Sequence, residues 1–366
     1  MKIKINYHGL AMFFLYLYLF LLPVDAALGN ILGSISLINY VAVTYTIIRI
    51  SELILKKYKL RIKNIRENRF LIFYPLYCFF TVLIRQTEEY SKFMVLSMVI
   101  SFIVFFLAII DDYTKEDTKK IKCVIQYSIL SVIVIFILFA DFRRFNGRLA
   151  FKNFNSSSTM DPNFFTIGLC ILTSVCFNNI MRKEKKIISI ISIIFILVII
   201  FMTGSRSGLI SNSIVIAISF ILSNYNIKNK ILFLVFLPII IIITMNLINI
   251  YVPQKILNRY SYKYTEKDAG AGRFNIWKNA MEVYSNNNIG REILGTGSGT
   301  FLYAIANKSI YNHSHNIYIQ ALCENGIIGL FLLIGMMLST IKKTWKNKNY
   351  IMLAAVIGLC FGGMRS

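Results

Sequence analysis

The stretch "KKIISIISIIFILVIIFMTGSRSGLISNSIVIAISFIL", Lys185–Leu222, decides the fold. It contains most of two apolar blocks, Ile187–Thr203 and Gly208–Tyr225, and only a few small or polar residues separate them. A helix needs about 20 apolar residues to cross the hydrocarbon core of a bilayer, and each block approaches that length. The pattern therefore predicts a helical hairpin that crosses a membrane twice.

The rest of the chain repeats this pattern. Of its 366 residues, 56% are hydrophobic, and the mean hydropathy is +0.62. The predicted spans are Leu10–Leu28, Ile31–Ile50, Phe70–Ile84, Phe93–Ile110, Cys123–Ala140, Phe164–Ile180, Ile187–Thr203, Gly208–Tyr225, Ile231–Ile250, Asn316–Ser339 and Tyr350–Met364. Outer-membrane barrels show alternating segments of about ten residues instead.

We therefore predict an all-α, polytopic integral membrane protein with about 11 or 12 transmembrane helices. Helices one to nine are expected within residues 1–250 and the C-terminal helices within residues 316–366. Residues 251–315 are expected to form a large extracytoplasmic loop with the catalytic motifs, because the segment is far longer than a connection between two spans requires.

The net charge of +23 would suggest a nucleic-acid partner in a soluble protein. In a membrane protein the same excess of Lys and Arg is typical of cytoplasmic loops. Basic runs such as "LKKYKLRIKNIRENR" and "IKKTWKNK" fall on one side of the membrane if the N-terminus is cytoplasmic. We adopt that orientation and predict no nucleic-acid partner.

The first apolar run lacks a convincing small-x-small cleavage site and is interpreted as a retained helix.

Two further patterns could suggest metal sites. The six cysteines lie in or at the ends of apolar blocks without a CxxC pair, which favours packing roles over a metal site or disulfides. The run "DDYTKED", Asp111–Asp117, has paired carboxylates of the kind that hold divalent ions. It lies among lysines on the predicted cytoplasmic side, and we interpret it as a solvated loop.

One segment on the predicted outer side is the basic loop Asp141–Asn163. Its Arg143, Arg144 and Arg148 are candidates for guiding an anionic lipid-linked substrate. Contact of these arginines with lipid headgroups is the alternative. The "MDPN" sequence at its end is a helix-start signal, because Asp caps a helix and Pro suits its first turn.

The "MTGSRSGLI" sequence, Met202–Ile210, places Arg206 at the predicted outer face, where one span ends and the next begins. Its glycines permit a tight turn. We expect the hydroxyls of Ser205 and Ser207, with the free N–H groups of the following helix, to form an anion-binding pocket. The alternative is an arginine that extends to the lipid headgroups.

The large loop contains "AGAGRFNIWKNAMEVYSNNNIGREILGTGSGTF", Ala269–Phe301. Arg273 and Trp277 are one helical turn apart and share a face, so the indole can hold the cation. We expect both residues to bind substrate. "LGTGSGTF" is rich in glycine, but it is weak evidence for phosphate binding because no βαβ context surrounds it.

The "HSHNIYIQALCENGIIGL" sequence, His313–Leu330, leads into the tenth predicted span. His315 is expected to lie at the helix N-terminus, where dipoles disfavour the charged imidazolium and leave a neutral general base. An interfacial histidine is the alternative. Glu324 lies about half a revolution further round the helix. We expect it to meet an arginine or a helix terminus in a structural role, with Asn316 as a supporting residue.

In order and spacing, "MDPN", "TGSRSGL", "GRFNIWKNAMEV", "LGTGSGTF" and "HNIYIQALCENGIIGL" resemble the O-antigen ligase and polymerase family of bacterial integral membrane glycosyltransferases. The resemblance covers Met160–Leu333, a little under half of the chain. Many members of that family carry one more span than the eleven predicted in this chain.

This resemblance implies a GT-C-like helical fold and sugar transfer at the outer face of the bacterial cytoplasmic (inner) membrane. The donor would be a glycan on undecaprenyl diphosphate, used without metal or another cofactor. Arg206 and Arg273 match the arginines that engage the diphosphate. His315 matches the histidine proposed to activate the acceptor hydroxyl, and attack opposite the diphosphate would invert the anomeric configuration.

Three functions that involve a lipid-linked glycan remain open, and a membrane receptor or scaffold, the fourth possibility, would not need His315. The leading hypothesis is a polymerase of O-antigen or capsular repeat units, whose partners are the lipid-linked donor, a glycan acceptor and membrane lipids. A ligase that transfers the glycan to lipid A core uses the same donor. A lipid-linked oligosaccharide flippase is the more remote alternative. Its basic residues would line a central cavity within the helices, whereas the predicted spans of this chain are nearly free of Lys and Arg. The sugar, the linkage and the docking of a chain-length regulator are not specified by the sequence.

Overall fold

The computed structural model describes residues 7–28, 37–55, 62–85, 89–111, 113–139, 141–145, 148–150, 161–182, 184–223, 228, 230, 254–260, 272–305 and 313–363. The helices up to the turn in "TGSRSG" are α1 (Tyr7–Leu28), α2 (Leu37–Leu55), α3 (Ile62–Glu67), α4 (Arg69–Arg85), α5 (Glu89–Ile110), α6 (Lys115–Phe139), α7 (Pro162–Gly168), α8 (Cys170–Met181) and α9 (Lys186–Thr203). The helices after it are α10 (Arg206–Ile221), α11 (Gln254–Leu257), α12 (Arg273–Ser285), α13 (Ile289–Leu294), α14 (Phe301–Ala304), α15 (Ile317–Lys346) and α16 (Tyr350–Gly363).

These helices follow the predicted spans. The described part of each span falls on one or two of them, except for Ile231–Ile250, which lies outside the described residues. Within the described residues, α2, α9 and α15 are long and apolar enough to cross a membrane, and six shorter apolar helices accompany them. The all-α polytopic membrane fold is thereby confirmed.

The structure adds a small antiparallel hairpin to this helical fold. Strands β1 (Asp141–Phe145) and β2 (Arg148–Ala150) pair with Asp141 opposite Ala150 and Phe145 opposite Arg148. The hairpin lies within the basic loop, for which the sequence predicted no regular structure.

The chain divides into two compact units that are each discontinuous in sequence. Unit 1 comprises Met1–Ser128 and Arg273–Ser339, and unit 2 comprises Ile129–Gly272 and Thr340–Ser366. The large loop is therefore shared between the units, with its residues up to Gly272 in unit 2 and the remainder in unit 1.

The main core of unit 1 is apolar and is formed by α1, α2 and α5. At one end of these helices lies a buried charge cluster. The Arg49 guanidinium is paired with the carboxylates of both Glu52 and Asp111, and Nδ1 of His8 lies 3.5 Å from Oε1 of Glu52. The start of α1 and the ends of α2 and α5 thus lie on the same side of unit 1, as alternating spans require.

This charge cluster corrects the interpretation of "DDYTKED" as a solvated loop. Asp111 is only 9% exposed and is paired with Arg49. The carboxylate is buried because a cation from a neighbouring helix offsets the cost of removing it from water. Asp117, by contrast, caps the start of α6 by accepting hydrogen bonds from the N–H and the hydroxyl of Thr114.

In unit 2, α10 packs against α7, α8 and α16. Cys170 of α8, Val215 of α10 and Ala354 of α16 are completely buried where these helices meet. The hydroxyl of Ser174 on α8 donates a hydrogen bond of 2.5 Å to the carbonyl of Ile351. This packing fixes the N-terminal end of α10, where Arg206 is found, beside the start of α7.

Candidate active site

The turn between α9 and α10 is as tight as the sequence predicts. Gly204 ends α9 with a left-handed backbone (φ 60°), which suits a residue without a side chain. Ser205 is the N-cap of α10, since its hydroxyl accepts a hydrogen bond of 3.1 Å from the Gly208 N–H. Arg206 is the first residue of α10 and is half-buried.

The hydroxyl of Ser205 belongs to a buried network rather than to a free anion pocket. It donates to Oδ1 of Asn163 at 3.1 Å and accepts from the Thr166 hydroxyl at 2.7 Å. Ser205 is completely buried, and Ser207 is 4% exposed. The expectation that these serines form an anion pocket is therefore corrected: Ser205 holds the turn against α7.

The "MDPN" signal is confirmed as the start of α7. The side chain of Asp161 caps the helix by accepting a hydrogen bond of 2.7 Å from the Asn163 N–H, and Pro162 occupies the first turn. This cap also fixes Asn163, which the turn after α9 contacts. The sequence alone does not predict this contact, because Asn163 and Ser205 are 42 positions apart.

The three arginines of the basic loop have different locations. Arg143 and Arg144 lie on β1. Arg148 lies on β2 and is only 4% exposed. Its Nε donates a hydrogen bond of 2.6 Å to the Thr203 carbonyl, and a terminal guanidinium nitrogen donates one of 3.0 Å to Oδ1 of Asn163. The expected roles of Arg148 in contacting headgroups or guiding substrate are therefore replaced by a buried one at the end of α9.

A segment of the large loop also approaches the turn between α9 and α10. Nε of Arg259 donates a hydrogen bond of 3.3 Å to the Gly204 carbonyl, and the Tyr260 hydroxyl donates one of 2.9 Å to the Ile200 carbonyl. Burial raises the pKa of Tyr260, and the positive charges of Arg148, Arg259 and Arg206 oppose this shift. Three arginines are thus close enough to act on one phenol.

Sequence reasoning missed Arg259 and Tyr260 because no motif surrounds them. The one available signal is the short amphipathic run "QKILNRY", in which Ile256 is buried and Gln254 and Asn258 are exposed. Such a run indicates a segment that packs on another element, but it does not identify that element.

In unit 1, the histidine segment forms a turn immediately before α15. Asn316 is the N-cap, because its Oδ1 accepts hydrogen bonds from the N–H groups of Tyr318 (3.0 Å) and Ile319 (3.2 Å). His315 therefore precedes the helix and does not lie in its first turn, and its backbone is left-handed (φ 56°). The rings of His313 and His315 meet edge to face, with centroids 4.3 Å apart.

Helix α12 holds this histidine turn in place. It begins at Arg273, and the indole N–H of Trp277 donates a hydrogen bond of 2.9 Å to the Ser314 carbonyl. Ser314 is completely buried, and its hydroxyl donates to the Asn316 carbonyl at 2.5 Å. Phe274 packs edge to face on the indole. Trp277, predicted to bind substrate, thus contacts the backbone between the two histidines.

Glu324 is 5% exposed and faces the glycine-rich loop. Its Oε2 accepts a hydrogen bond of 3.0 Å from the Gly299 N–H, and its Oε1 accepts one of 3.1 Å from the Gln320 side chain. Gly299 directly precedes Thr300, the N-cap of α14, so the carboxylate lies at a helix N-terminus, one of the two expected partners. A loop amide therefore binds a carboxylate of the protein itself.

Helix α15 is broken beside this carboxylate. Gly326 has non-helical backbone angles (φ 64°, ψ −168°), and the Glu324 carbonyl accepts a hydrogen bond of 2.7 Å from the Gly297 N–H. A Cβ atom on Gly326 would lie 2.3 Å from the Ile293 carbonyl oxygen. Asn325 accepts hydrogen bonds from the hydroxyls of Ser298 (2.7 Å) and Thr81 (3.2 Å). The glycine-rich loop thus packs into the break in α15.

The predicted site residues fall into two groups. Unit 1 contains Arg273, Trp277, His315, Asn316 and Glu324. Unit 2 contains Arg143, Arg144, Arg148 and Arg206. Within unit 1 the structure joins Trp277 and Asn316 to the histidine turn, and within unit 2 it joins Arg148 to the turn that precedes Arg206.

Residues 191–334 match the family model described as O-Antigen ligase. The match covers less than half of the chain. It includes the turn between α9 and α10, the described part of the large loop, the histidine turn and the broken start of α15. Comparison with curated proteins gives no match. The family match confirms the resemblance over these residues and indicates a membrane protein with O-antigen ligase- or polymerase-type, glycosyltransferase-like activity.

Proposed function

From this family match as the premise, we propose that the protein polymerises lipid-linked oligosaccharide repeat units of O-antigen or capsular polysaccharide. It joins the glycan of an undecaprenyl-diphosphate donor to a hydroxyl of an acceptor glycan, at the outer face of the bacterial cytoplasmic membrane. The observation that carries the proposal is that the matched segment 191–334 contains Arg206, Arg273 and His315.

The proposed role of Arg206 and Arg273 is to stabilise the departing diphosphate. Breaking a sugar–diphosphate bond develops negative charge on the leaving group, and guanidinium groups bind phosphate oxygens through paired hydrogen bonds. Arg206 is the first residue of a 16-residue helix, where the helix dipole also favours an anion. Arg148 and Arg259, which donate hydrogen bonds to the carbonyls of Thr203 and Gly204, add positive charge near the same turn and support this assignment.

The proposed role of His315 is to accept the proton of the attacking hydroxyl. A general base must be held in a defined orientation, and the turn that contains His315 is fixed by Trp277, Ser314 and Asn316. Attack from the side opposite the diphosphate inverts the anomeric configuration. In this mechanism the arginines supply the charge stabilisation, without metal.

The test uses purified protein in liposomes with a lipid-linked repeat unit as both donor and acceptor, and measures product length on a gel. We expect a ladder of products with the unmodified protein. His315→Ala should lower the rate roughly a hundredfold or more, and Arg206→Ala roughly a hundredfold. His8→Ala and Arg291→Gln are matched controls, because His8 contacts Glu52 and Arg291 contacts Tyr303. Unchanged chain length and amount in both site variants would refute the assignment of these residues.

The description of the matched family as a ligase favours one alternative, transfer of the finished glycan to lipid A core. The same assay separates the two functions. A ligase should form no ladder from repeat units alone and should form product when lipid A core is added. A flippase would form neither product and would move labelled units between the leaflets.

A further inference from the structure

The C-terminal end of α9 is buried, and its carbonyl groups are bound by side chains from two distant segments of unit 2. Ile200 and Thr203 are completely buried, and Gly204 is buried as well. The last carbonyls of a helix have no partner within the helix, so buried ones need donors from elsewhere. Arg148 donates to the Thr203 carbonyl and Arg259 to the Gly204 carbonyl. Tyr260 donates to the Ile200 carbonyl, which also accepts hydrogen bonds from the Thr203 hydroxyl and the Ser205 N–H.

We infer that Arg148, Arg259 and Tyr260 form a carbonyl clamp that fixes the backbone from which Arg206 extends, and that Arg259 is a positioning residue for the transfer reaction. The inference rests on the proposed function only in assigning Arg206 to the diphosphate. The clamped carbonyl of Gly204 lies two residues before Arg206, so a change in this backbone redirects the guanidinium.

The geometry around Gly204 shows how closely the clamp fits. A Cβ atom at Gly204 would lie 3.1 Å from Cδ and 3.3 Å from Nε of Arg259, and 3.4 Å from Cγ2 of Ile256. The aromatic ring of Tyr260 also packs on that of Phe201, with centroids 5.5 Å apart. Arg259 therefore lies directly on the turn and contacts its backbone.

The charges of the clamp suit a helix C-terminus. The carbonyl end of a helix carries partial negative charge, which cations stabilise. Nε of Arg148 and Nε of Arg259 both donate to carbonyls at this end, and Arg148 also donates to Asn163. The two arginines thus bind successive peptide carbonyls of the protein.

A double-mutant cycle tests whether Arg259 acts through Arg206. Arg259→Ala should lower turnover roughly ten- to a hundredfold in the unmodified protein, the range for losing a hydrogen bond from a charged group. In an Arg206→Lys background, which retains the positive charge, its further effect should be much smaller. Arg259→Lys should restore part of the activity, because its ammonium can still donate to Gly204. Arg291→Gln should have no effect in either background.

Amide hydrogen exchange of the peptide covering residues 200–210 provides a readout that does not depend on activity. Arg259→Ala should accelerate exchange at Gly204, Ser205 and Gly208, whose N–H groups are hydrogen-bonded in the turn, and Arg206→Ala should not. Unchanged exchange in Arg259→Ala, or equal effects on turnover in both backgrounds, would overturn the inference. Full activity of Arg206→Ala would refute the proposed function instead. The hydrogen-exchange measurement would still test the carbonyl clamp in that case.

Discussion

The Glu324 carboxylate accepts a hydrogen bond of 3.0 Å from the backbone N–H of Gly299, 25 residues earlier in the chain. A carboxylate near the start of an apolar helix is costly unless it is satisfied. Here the glycine-rich loop supplies one donor and the Gln320 side chain of α15 supplies another. These hydrogen bonds explain how the Glu324 carboxylate can occur within an apolar helix.

Replacing Glu324 should destabilise unit 1. Glu324→Gln keeps one acceptor oxygen but directs an NH₂ group towards N–H donors, and Glu324→Ala removes both acceptors. We expect a loss of about 1.5–3 kcal/mol for Glu324→Gln and more for Glu324→Ala. Thermal unfolding in detergent measures the effect. Glu116→Gln is the control, since Glu116 is exposed and pairs with the exposed Lys120. Equal stability of the Glu324 and Glu116 variants would contradict the prediction.

Gly326→Ala should also be strongly destabilising. The new Cβ would lie 2.3 Å from the Ile293 carbonyl oxygen, and the left-handed φ of 64° disfavours any side chain. We expect a cost of at least about 2 kcal/mol, measured as a lower unfolding temperature. Gly290→Ala is the matched control, because its nearest neighbour would be 3.6 Å away. If Gly326→Ala were as stable as Gly290→Ala, the described packing of the glycine-rich loop into the break in α15 would be incorrect.

Trp277→Phe should reduce activity while leaving most of the stability. It keeps an aromatic ring but removes the N–H that donates to the Ser314 carbonyl. The histidine turn should then loosen, and the transfer rate should fall roughly three- to tenfold. The chain contains one other tryptophan, Trp345, whose side chain is 58% exposed. Trp345→Phe should leave the rate unchanged, and an equal rate for both variants would argue against this role of Trp277.

Arg49→Met should destabilise unit 1 by about 3–5 kcal/mol, because it leaves Glu52 and Asp111 buried without their cation. Adding Glu52→Gln and Asp111→Asn to this variant should recover much of the loss, since no uncompensated charge then remains. Unfolding temperatures in detergent compare the variants. Failure of the triple variant to recover any stability would show that packing of the Arg49 side chain, and not its charge, matters at this position.

The sequence predicts the elements of this fold better than their contacts. Apolar block length locates the spans, and the Asp161–Pro162 pair correctly marks the start of α7. The contacts of Arg148 could not be predicted, because it pairs with a carbonyl 55 residues away and carbonyls carry no sequence signature. The burial of Asp111 depends in the same way on Arg49 from another helix.

A local pattern was misleading at one position. "ENGIIGL" is compatible with a continuous apolar helix, and the break at Gly326 is explained only by the loop that fills it. His315 was expected near the helix N-terminus, and it lies directly before the N-cap Asn316. Its left-handed backbone could not be predicted from the sequence.

The break at Gly326 has a consequence for how the protein is made. Within hydrocarbon, a carbonyl released from a helix has no water to bind and needs a partner from the protein. Gly297, which supplies it, is synthesised before Glu324 and belongs to a different segment. Helix α15 therefore cannot reach its final form during insertion as an isolated span. The final conformation of α15 requires the glycine-rich loop to pack against it, although hydropathy alone would assign that loop to the aqueous side.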